Sequence, residues 1–324
     1  MPDSPISRRG FMAVGASLLA WRGPARLARA DAVEAFADAS TLHIKADGRP
    51  IVDFLLRPQP PSASMRTSFL RAGYLHPVFT PNGRIVTDDY PDDHPHQHGI
   101  FFAWTRTEFE GRHPDFWNMG DGTGTVELEK IEDVHSGSEK ATFKARLRHV
   151  DLSGPQRKTA LNELWDVTVY RAVPGMSRYA MFDIVSTQEC ASASPLILPD
   201  YRYGGIGIRG HRNWRTKTNV SFLTSEGKDR IAGDDTPARW CAMGGRVDGQ
   251  PVGIAALGHP ANFRAPQALR IHPDDPYFNF SPSKRGQWEI TPGKSYVSRY
   301  RFLVYDGDVS ATELNRLWDD YAKG

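Results

Sequence analysis

The stretch KATFKARLRHV, residues 140–150, decides the fold class because its pattern repeats every two residues. Ala141, Phe143, Ala145 and Leu147 alternate with charged or polar side chains, which is typical of an antiparallel β-strand with one buried face. Similar stretches recur along the chain, at residues 162–171, 177–186 and 296–305, with shorter candidates at 51–56, 99–105, 125–131 and 252–257.

Turns rich in Gly and Pro separate these strands, and no helical stretch lies between them. The sequence therefore predicts an all-β fold, a large antiparallel two-sheet sandwich, rather than a fold of alternating strands and helices. One C-terminal helix is also predicted. Ser310 and Glu313 have the spacing of a capping box, in which both side chains accept free backbone N–H groups. Apolar residues follow at helical spacing, so we expect this helix to close one end of the sheets.

The first thirty residues look like an export signal. Ser7-Arg8-Arg9-Gly10-Phe11-Met12 resembles a twin-arginine motif, an apolar stretch follows at 11–21, and Ala28-Arg29-Ala30 has the form of a signal peptidase site. The sequence predicts a signal peptide at 1–30, a single domain at 31–324, and a periplasmic or secreted protein. The apolar stretch is too short to span a membrane, so no membrane insertion is expected after cleavage.

Composition excludes several classes of protein. The 324 residues include 40 Lys and Arg against 38 Asp and Glu, and 11% are aromatic, which is unlike a disordered chain. Five arginines and one aspartate fall within residues 1–30, so the remaining chain has a net charge of −2. Binding to nucleic acid is not expected of such a chain. Cys190 and Cys241 could form a disulfide or remain buried thiols.

The densest polar cluster is TDDYPDDHPHQHG, residues 87–99. In an extended segment, His94, His96 and His98 would point to the same side and could bind a divalent metal ion, although the sequence does not identify a cofactor. Alternatively, His94 and His96 act as general acid or base, with Asp93 orienting one of them or serving as the base. A third interpretation is a Pro-rich loop whose polar side chains only cap turns.

Two further groups of residues are candidates for substrate binding. Tyr203, Arg209 and Trp214, together with Trp104, are of the types that stack on sugar rings and hold hydroxyl or carboxylate groups. The alternative for this group is an aromatic-rich strand in which Arg209 forms a structural ion pair. His259 and Asn262 follow another apolar strand directly and could face the same site, although a lone His is more often a structural hydrogen-bonding residue.

The segment 74–83, the Asp92–His96 core and the Tyr203-Gly204-Gly205 patch resemble the bacterial family labelled "methane oxygenase PmoA-like". The resemblance extends over residues 40–322 and includes Gly258-His259-Pro260-Ala261-Asn262. Gln97 stands where that family often has a second His. The resemblance implies a large sandwich of the galactose-mutarotase type, with a sugar on one sheet and His and carboxylate groups as acid and base.

These patterns together predict an exported protein that acts on a carbohydrate or sugar-like molecule. The predicted chemistry is proton transfer on a sugar or glycoside, by a hydrolase, lyase or epimerase. The catalytic candidates are His94, His96, Asp93 and His259, and the substrate-binding candidates are Tyr203, Arg209, Trp104, Trp214 and Asn262. The alternatives are a sugar-binding protein without catalysis and a metalloprotein with a three-His site.

Overall fold

Two eight-stranded antiparallel sheets and one two-stranded ribbon contain most of the chain in the computed structural model, which describes residues 33–171, 175 and 177–324. These residues fall within one compact unit, Asp31–Gly324. The predicted signal peptide lies outside the described residues. In chain order the strands are β1 (Val33–Ala37), β2 (Thr41–Ala46), β3 (Arg49–Leu55), β4 (Leu75–Val78), β5 (Ile100–Ala103), β6 (Gly124–His135), β7 (Lys140–Asp151), β8 (Lys158–Tyr170), β9 (Tyr179–Cys190), β10 (Leu196–Leu198), β11 (Gly205–Arg209), β12 (Val220–Thr224), β13 (Trp240–Val247), β14 (Gln250–Gly258), β15 (Leu269–Ile271), β16 (Tyr277–Phe280), β17 (Trp288–Ile290) and β18 (Tyr296–Asp306).

The strands are distributed between the two sheets in an order that departs from their order in the chain. The first sheet has the order β1-β2-β3-β4-β5-β11-β16-β15, and the second has the order β12-β13-β14-β18-β9-β8-β7-β6. Strands β10 and β17 form the ribbon. Helices are short: α1 (Arg230–Gly233), α2 (Ala311–Tyr321), and 3-10 turns at Thr67–Phe69, Met119–Asp121, Arg212–Trp214 and Pro282–Arg285.

The two large sheets pack face to face, which confirms the predicted sandwich. In β7 the apolar residues at alternate positions are buried, as the period of two predicts. Phe54 of the first sheet contacts Phe143 and Trp165 of the second, with ring centroids 5.1 and 6.1 Å apart. Further along, Phe280 contacts Tyr300 across the same interface, at 5.4 Å. The core therefore lies between the sheets.

Helix α2 packs on the outer face of the second sheet, which corrects the expectation that it closes an end of the sandwich. Leu314 and Leu317 are buried in one cluster with Trp240 of β13 and Leu303 of β18. The Ser310 hydroxyl accepts the Glu313 N–H at 3.2 Å, as a helix cap does. The Glu313 carboxylate pairs with Arg178 instead of completing a capping box.

Cys190 and Cys241 are free thiols in the structure. The sequence left the pairing of the cysteines open, and the structure resolves it in favour of two separate side chains.

Of the helices in the described part of the chain, none has the length and apolar character needed to span a bilayer.

The outer face of the first sheet is defined by the pairing of its last strands. Phe278 of β16 contacts Phe222 of the second sheet, so it points inward. Because successive side chains in a strand alternate, Tyr277 and Asn279 point outward. Arg209 and Gly207 of β11 are the direct partners of Tyr277 and Asn279 and share that outer face.

Candidate active site

The His-rich segment at 91–97 forms two consecutive turns rather than an extended strand. The His94 N–H donates to the Pro91 carbonyl at 3.0 Å, and the Gln97 N–H donates to the His94 carbonyl at 2.8 Å. Pro95 suits the second position of the second turn because its fixed φ matches that position. The alternation on which a three-His metal site was predicted is therefore absent.

His98 lies apart from the other two imidazoles. Its ring is fully buried and stacks on Tyr74 with centroids 4.3 Å apart, and its Nδ1 lies 2.6 Å from Asp89 Oδ1. His94 and His96 remain in contact, with ring centroids 5.7 Å apart. The structure thus corrects the predicted set of three metal ligands. His98 is buried in the core and bonded to Asp89, whereas His94 and His96 contact each other.

Four separate parts of the chain meet where neighbouring strands of the first sheet begin or end. The loop that carries His94 precedes β5, Arg209 ends β11, Asp275 precedes β16, and His272 follows β15. These strands are consecutive in the sheet, and antiparallel neighbours place the start of one strand beside the end of the next. We call His94, His272, Asp275 and Asp93 the His/Asp cluster.

Arg209 anchors this cluster from beneath. Its side chain is fully buried, and its Nη1 donates to Gln97 Oε1 at 2.8 Å. Its Nη2 lies 3.4 Å from Asp93 Oδ1, and its Nη1 lies 3.8 Å from Asp275 Oδ2. Arg215 donates to the same Asp93 oxygen at 2.8 Å. Since the guanidinium is inaccessible, Arg209 positions the carboxylates and the loop, which corrects its predicted role as a direct substrate contact.

The two carboxyl groups of the cluster differ in their affinity for a proton. Burial favours the protonated form of Asp93, but the Arg209 and Arg215 guanidinium groups hold its pKa well below the usual range. Burial raises the pKa of Asp275, and the adjacent Asp93 carboxylate raises it further, against the opposing effect of Arg209. A proton bound by this pair therefore resides on Asp275.

Two imidazoles flank the Asp275 carboxyl group, and a third lies nearby. His94 Nδ1 lies 3.3 Å and His272 Nδ1 lies 3.2 Å from Asp275 Oδ2. Burial, Arg270 and His94 lower the pKa of His272 to about 4. Burial and the neighbouring His94 and His98 lower the pKa of His96 to about 4. Within the described part of the chain His96 has no hydrogen-bond partner, so its neutral ring is free to accept a proton.

His94, His272 and Asp275 could also hold a metal ion. Their donor atoms lie within 4.8 Å of one another, and the His94 Nδ1 atom is buried without a hydrogen bond in the described residues. Tetrahedral zinc with bonds of about 2.0–2.1 Å separates its ligand atoms by about 3.3 Å, close to the two nitrogen–oxygen distances given above. However, His272 Nδ1 already accepts the Asp275 N–H at 2.9 Å, which occupies its lone pair.

Sequence reasoning missed Asp275 and His272. The signal was present: His272-Pro273-Asp274-Asp275-Pro276 repeats the residue types of Pro91-Asp92-Asp93-His94-Pro95 in another order. Without the pairing of β11 with β16, nothing in the sequence indicates that the two segments meet.

Trp104 and Trp214 do not reach this site and belong to the core. Both are fully buried. The Trp104 indole N–H donates to Gln188 at 2.7 Å, and the Trp214 indole N–H donates to the Arg246 carbonyl at 3.1 Å. Their polar atoms are therefore satisfied inside the protein, and the expectation that they stack on substrate is corrected.

His259 and Asn262 follow β14 of the second sheet, away from the His/Asp cluster. The His259 ring packs on Tyr321 of α2, with centroids 5.2 Å apart, and its Nδ1 accepts the Ala261 N–H. The Asn262 side-chain amide donates to the Arg299 carbonyl of β18, and its Oδ1 accepts the Arg299 N–H, both at 2.8 Å. These contacts stabilise a loop, so neither residue forms the opposite wall of the site as predicted.

Tyr203 lies before the start of β11, at the end of the strand opposite to Arg209. Its hydroxyl accepts from Asn118 Nδ2 at 3.1 Å, and its ring contacts Trp117 at 5.4 Å. Trp117 covers Gly207, where an added Cβ would lie 2.9 Å from the indole. Tyr203 therefore remains a binding candidate, together with Asn118, which sequence reasoning did not identify, whereas Trp117 is buried beneath it.

Comparisons with known proteins add the following. Among solved structures, a heparan sulfate lyase from Pedobacter heparinus is similar with a TM-score of 0.42 and 12% sequence identity, over 86% of this chain and 37% of the lyase. The chain thus spans well under half of that protein's length. No curated protein has a significantly similar sequence. Residues 41–319 match the model of a family of unknown function, DUF6807, and the chain belongs to that family.

Proposed function

We propose that this protein is an enzyme that transfers protons on a sugar or glycoside, as a hydrolase, lyase or epimerase. One observation carries the proposal: the Asp275 carboxyl lies between two imidazoles, 3.3 and 3.2 Å away, and beside a second carboxylate fixed by buried Arg209. Such a group of acids and bases, with proton affinities set apart by their surroundings, is what general acid–base catalysis requires.

The roles follow from the different proton affinities of these groups. The pKa of Asp275 is raised by burial and by the adjacent Asp93, so we assign Asp275 as the general acid. His96 is neutral and has a free nitrogen, so it acts as the base, with His94 between the two. Asp93 stays ionised beside Arg209 and Arg215, and its Oδ2 lies 3.5 Å from His94 Nδ1, so it orients that imidazole. In this proposal the enzyme works in the periplasm, as the twin-arginine pattern indicates.

The test is turnover of a panel of oligosaccharides by the wild-type chain and by Asp275→Asn. New reducing ends report hydrolysis, ultraviolet absorbance of a new double bond reports elimination, and exchange of a sugar C–H with deuterium reports epimerisation. Loss of one general acid should slow turnover by roughly 10²–10⁴-fold. Asp274→Asn is the matched control, since Asp274 is exposed and its carboxylate, among the residues that the structure describes, pairs only with Lys217 at 3.0 Å.

Equal rates for the wild-type chain and Asp275→Asn would refute the assignment of the acid. The donor spacing of His94, His272 and Asp275 favours a second candidate, a metal-dependent hydrolase. Assays with and without a chelator separate the two. Turnover that disappears with chelator and returns with added zinc supports the metal enzyme, whereas turnover that persists supports acid–base catalysis alone. Binding without turnover leaves a sugar-binding protein.

A further inference from the structure

A cavity of about 570 Å³ opens beside Tyr203, and none of the proposed acid and base residues lines it. We call it the tyrosine cavity. Its walls include Tyr201, Tyr203, Asn118, Asp115 and Arg106. The volume lies within the range of small-molecule binding sites, about 300–1,000 Å³. Most of these residues come from the loop after β5 and the segment before β11.

Two aromatic rings of the tyrosine cavity lie next to each other. Tyr201 and Tyr203 have ring centroids 4.9 Å apart, and the buried Trp117 supports Tyr203 from inside at 5.4 Å. Both tyrosines are only half-buried, so part of each ring remains open to a ligand. Flat apolar rings with polar edges are suited to the apolar faces and peripheral hydroxyls of a sugar.

The polar groups beside these rings are held in place before any ligand arrives. The Asp115 carboxylate accepts the Asn118 backbone N–H at 2.7 Å and the Asn118 side-chain amide at 2.9 Å. Asn118 in turn donates to the Tyr203 hydroxyl. An amide and a phenol fixed side by side offer both a donor and an acceptor to neighbouring hydroxyl groups, at little cost in conformational entropy.

Charge at the tyrosine cavity argues against an acidic ligand. Asp115, Asp121 and Asp200 contribute three carboxylates to the lining, against two guanidinium groups, of Arg106 in the lining and of Arg202 beside it. Arg106 stacks on Tyr201 at 4.9 Å, and Arg202 lies 5.9 and 5.6 Å from the ring centres of Tyr201 and Tyr203. A sulfate or uronate group would meet net negative charge there, whereas a neutral sugar would not.

The tyrosine cavity and the His/Asp cluster lie at opposite ends of strand β11. Trp117 contacts Tyr203 on one side and Tyr277 on the other, at 5.4 and 5.9 Å, and Tyr277 is paired with Arg209. The five residues from Gly205 to Arg209 are separated by four steps of about 3.3 Å, so the ends of the strand lie roughly 13 Å apart. A ligand that occupies both places must therefore be a chain of sugar units.

We propose that the tyrosine cavity is a subsite for a neutral sugar, so the substrate is a neutral oligosaccharide or glycoside rather than an acidic one. The inference rests on the proposed function, because it assigns the substrate class of that enzyme. It also predicts binding by itself, and binding can be measured whether or not turnover occurs.

The experiment measures dissociation constants by calorimetry for cellohexaose, xylohexaose, mannohexaose and an acidic oligogalacturonate. We expect one or more of the neutral hexasaccharides to bind and the oligogalacturonate to bind at least tenfold more weakly. Tyr203→Ala should weaken binding of the neutral sugar by about tenfold, since it removes the stacking ring. Tyr203→Phe keeps the ring and should stay within about threefold of the wild-type chain.

The results separate the two proposals. Neutral-sugar binding that depends on the Tyr203 ring, without turnover, supports the subsite and overturns the enzyme. Turnover with equal binding by the wild-type chain and Tyr203→Ala supports the enzyme and overturns the subsite. Preference for oligogalacturonate, or no binding of any neutral hexasaccharide, also overturns the subsite. If Tyr203→Ala does not fold, Tyr201→Ala tests the neighbouring ring in the same way.

Discussion

Glu163 is a fully buried carboxylate with four hydrogen-bond partners. Its Oε1 accepts from Trp165 at 2.8 Å, from Ser186 at 2.6 Å and from Gln188 at 2.9 Å. Its Oε2 lies 2.8 Å from His149 Nε2, and both side chains are fully buried. Burial alone would raise the pKa of Glu163, but His149, Ser186 and Gln188 reverse that effect and lower it. A charge in the interior is tolerated here because both carboxylate oxygens are hydrogen-bonded.

Glu163→Gln should lower the free energy of unfolding by about 3 kcal/mol or more, because it leaves buried donors facing an amide that carries its own donors. Urea unfolding followed by tryptophan fluorescence would measure the loss. Glu132→Gln is the control: Glu132 lies on the surface and pairs with Arg146 at 2.7 Å, so its replacement should cost far less than that of Glu163. Equal losses in the two variants would contradict this account of Glu163.

At the scale of single elements, a local sequence signal determines where helix α2 begins, and tertiary contacts determine where it packs. Ser310 caps the helix as its position in the sequence predicts. Its partner Glu313 binds Arg178, and Trp318 donates to the Gly258 carbonyl at 2.8 Å, which ties the helix to β14. The start of the helix follows from adjacent residues, but its docking surface depends on strands far away in the chain.

Ser310→Ala should lower the free energy of unfolding by about 1 kcal/mol, because the Glu313 N–H loses its acceptor. Ser310→Thr keeps a hydroxyl and should recover most of the loss. The measurement is thermal unfolding of the three chains at one pH. No difference between Ser310→Ala and the wild-type chain would show that water satisfies this end of the helix equally well.

The strands were predictable because buried and exposed positions alternate along a half-buried strand, so apolar and polar residues alternate in the sequence, as in β7. The candidate site was predictable only in part. His94, His96 and Asp93 were found because they are adjacent in the sequence. Asp275 joins them through the pairing of β11 with β16, which no local pattern contains. The His98 expectation was wrong because turns at 91–97 replace the assumed extended segment.

At the scale of the whole molecule, burial of neutral histidines links stability to pH. Burial lowers the pKa of six histidines: His76, His96, His98, His211, His259 and His272. His43, beside Asp38 and Asp53, has a raised pKa and acts in the opposite direction. Where the folded pKa is lowered, the unfolded chain binds protons first as the pH falls below about 6.5. Six such groups outweigh the three whose raised pKa acts in the opposite direction, His43, Asp53 and Asp275.

The free energy of unfolding should therefore decrease as the pH falls from about 6.5 to about 4, the range between the unfolded value and the pKa of His96 and His272. Urea midpoints at several pH values, with the slope of each transition checked for constancy, would measure the decrease. His96→Gln removes one of these groups and should make the dependence shallower. A midpoint that rises on acidification would contradict the prediction.

The place of β18 in the second sheet has a consequence for the synthesis of the protein. This strand is the last in the chain, yet it lies between β14 and β9 and pairs with both. Since a ribosome delivers the chain from its N-terminus, the sheet stays divided into two parts until Tyr296–Asp306 emerges. A premature stop codon after β16 would thus yield a polypeptide with all the residues of the His/Asp cluster and no intact sandwich to carry them.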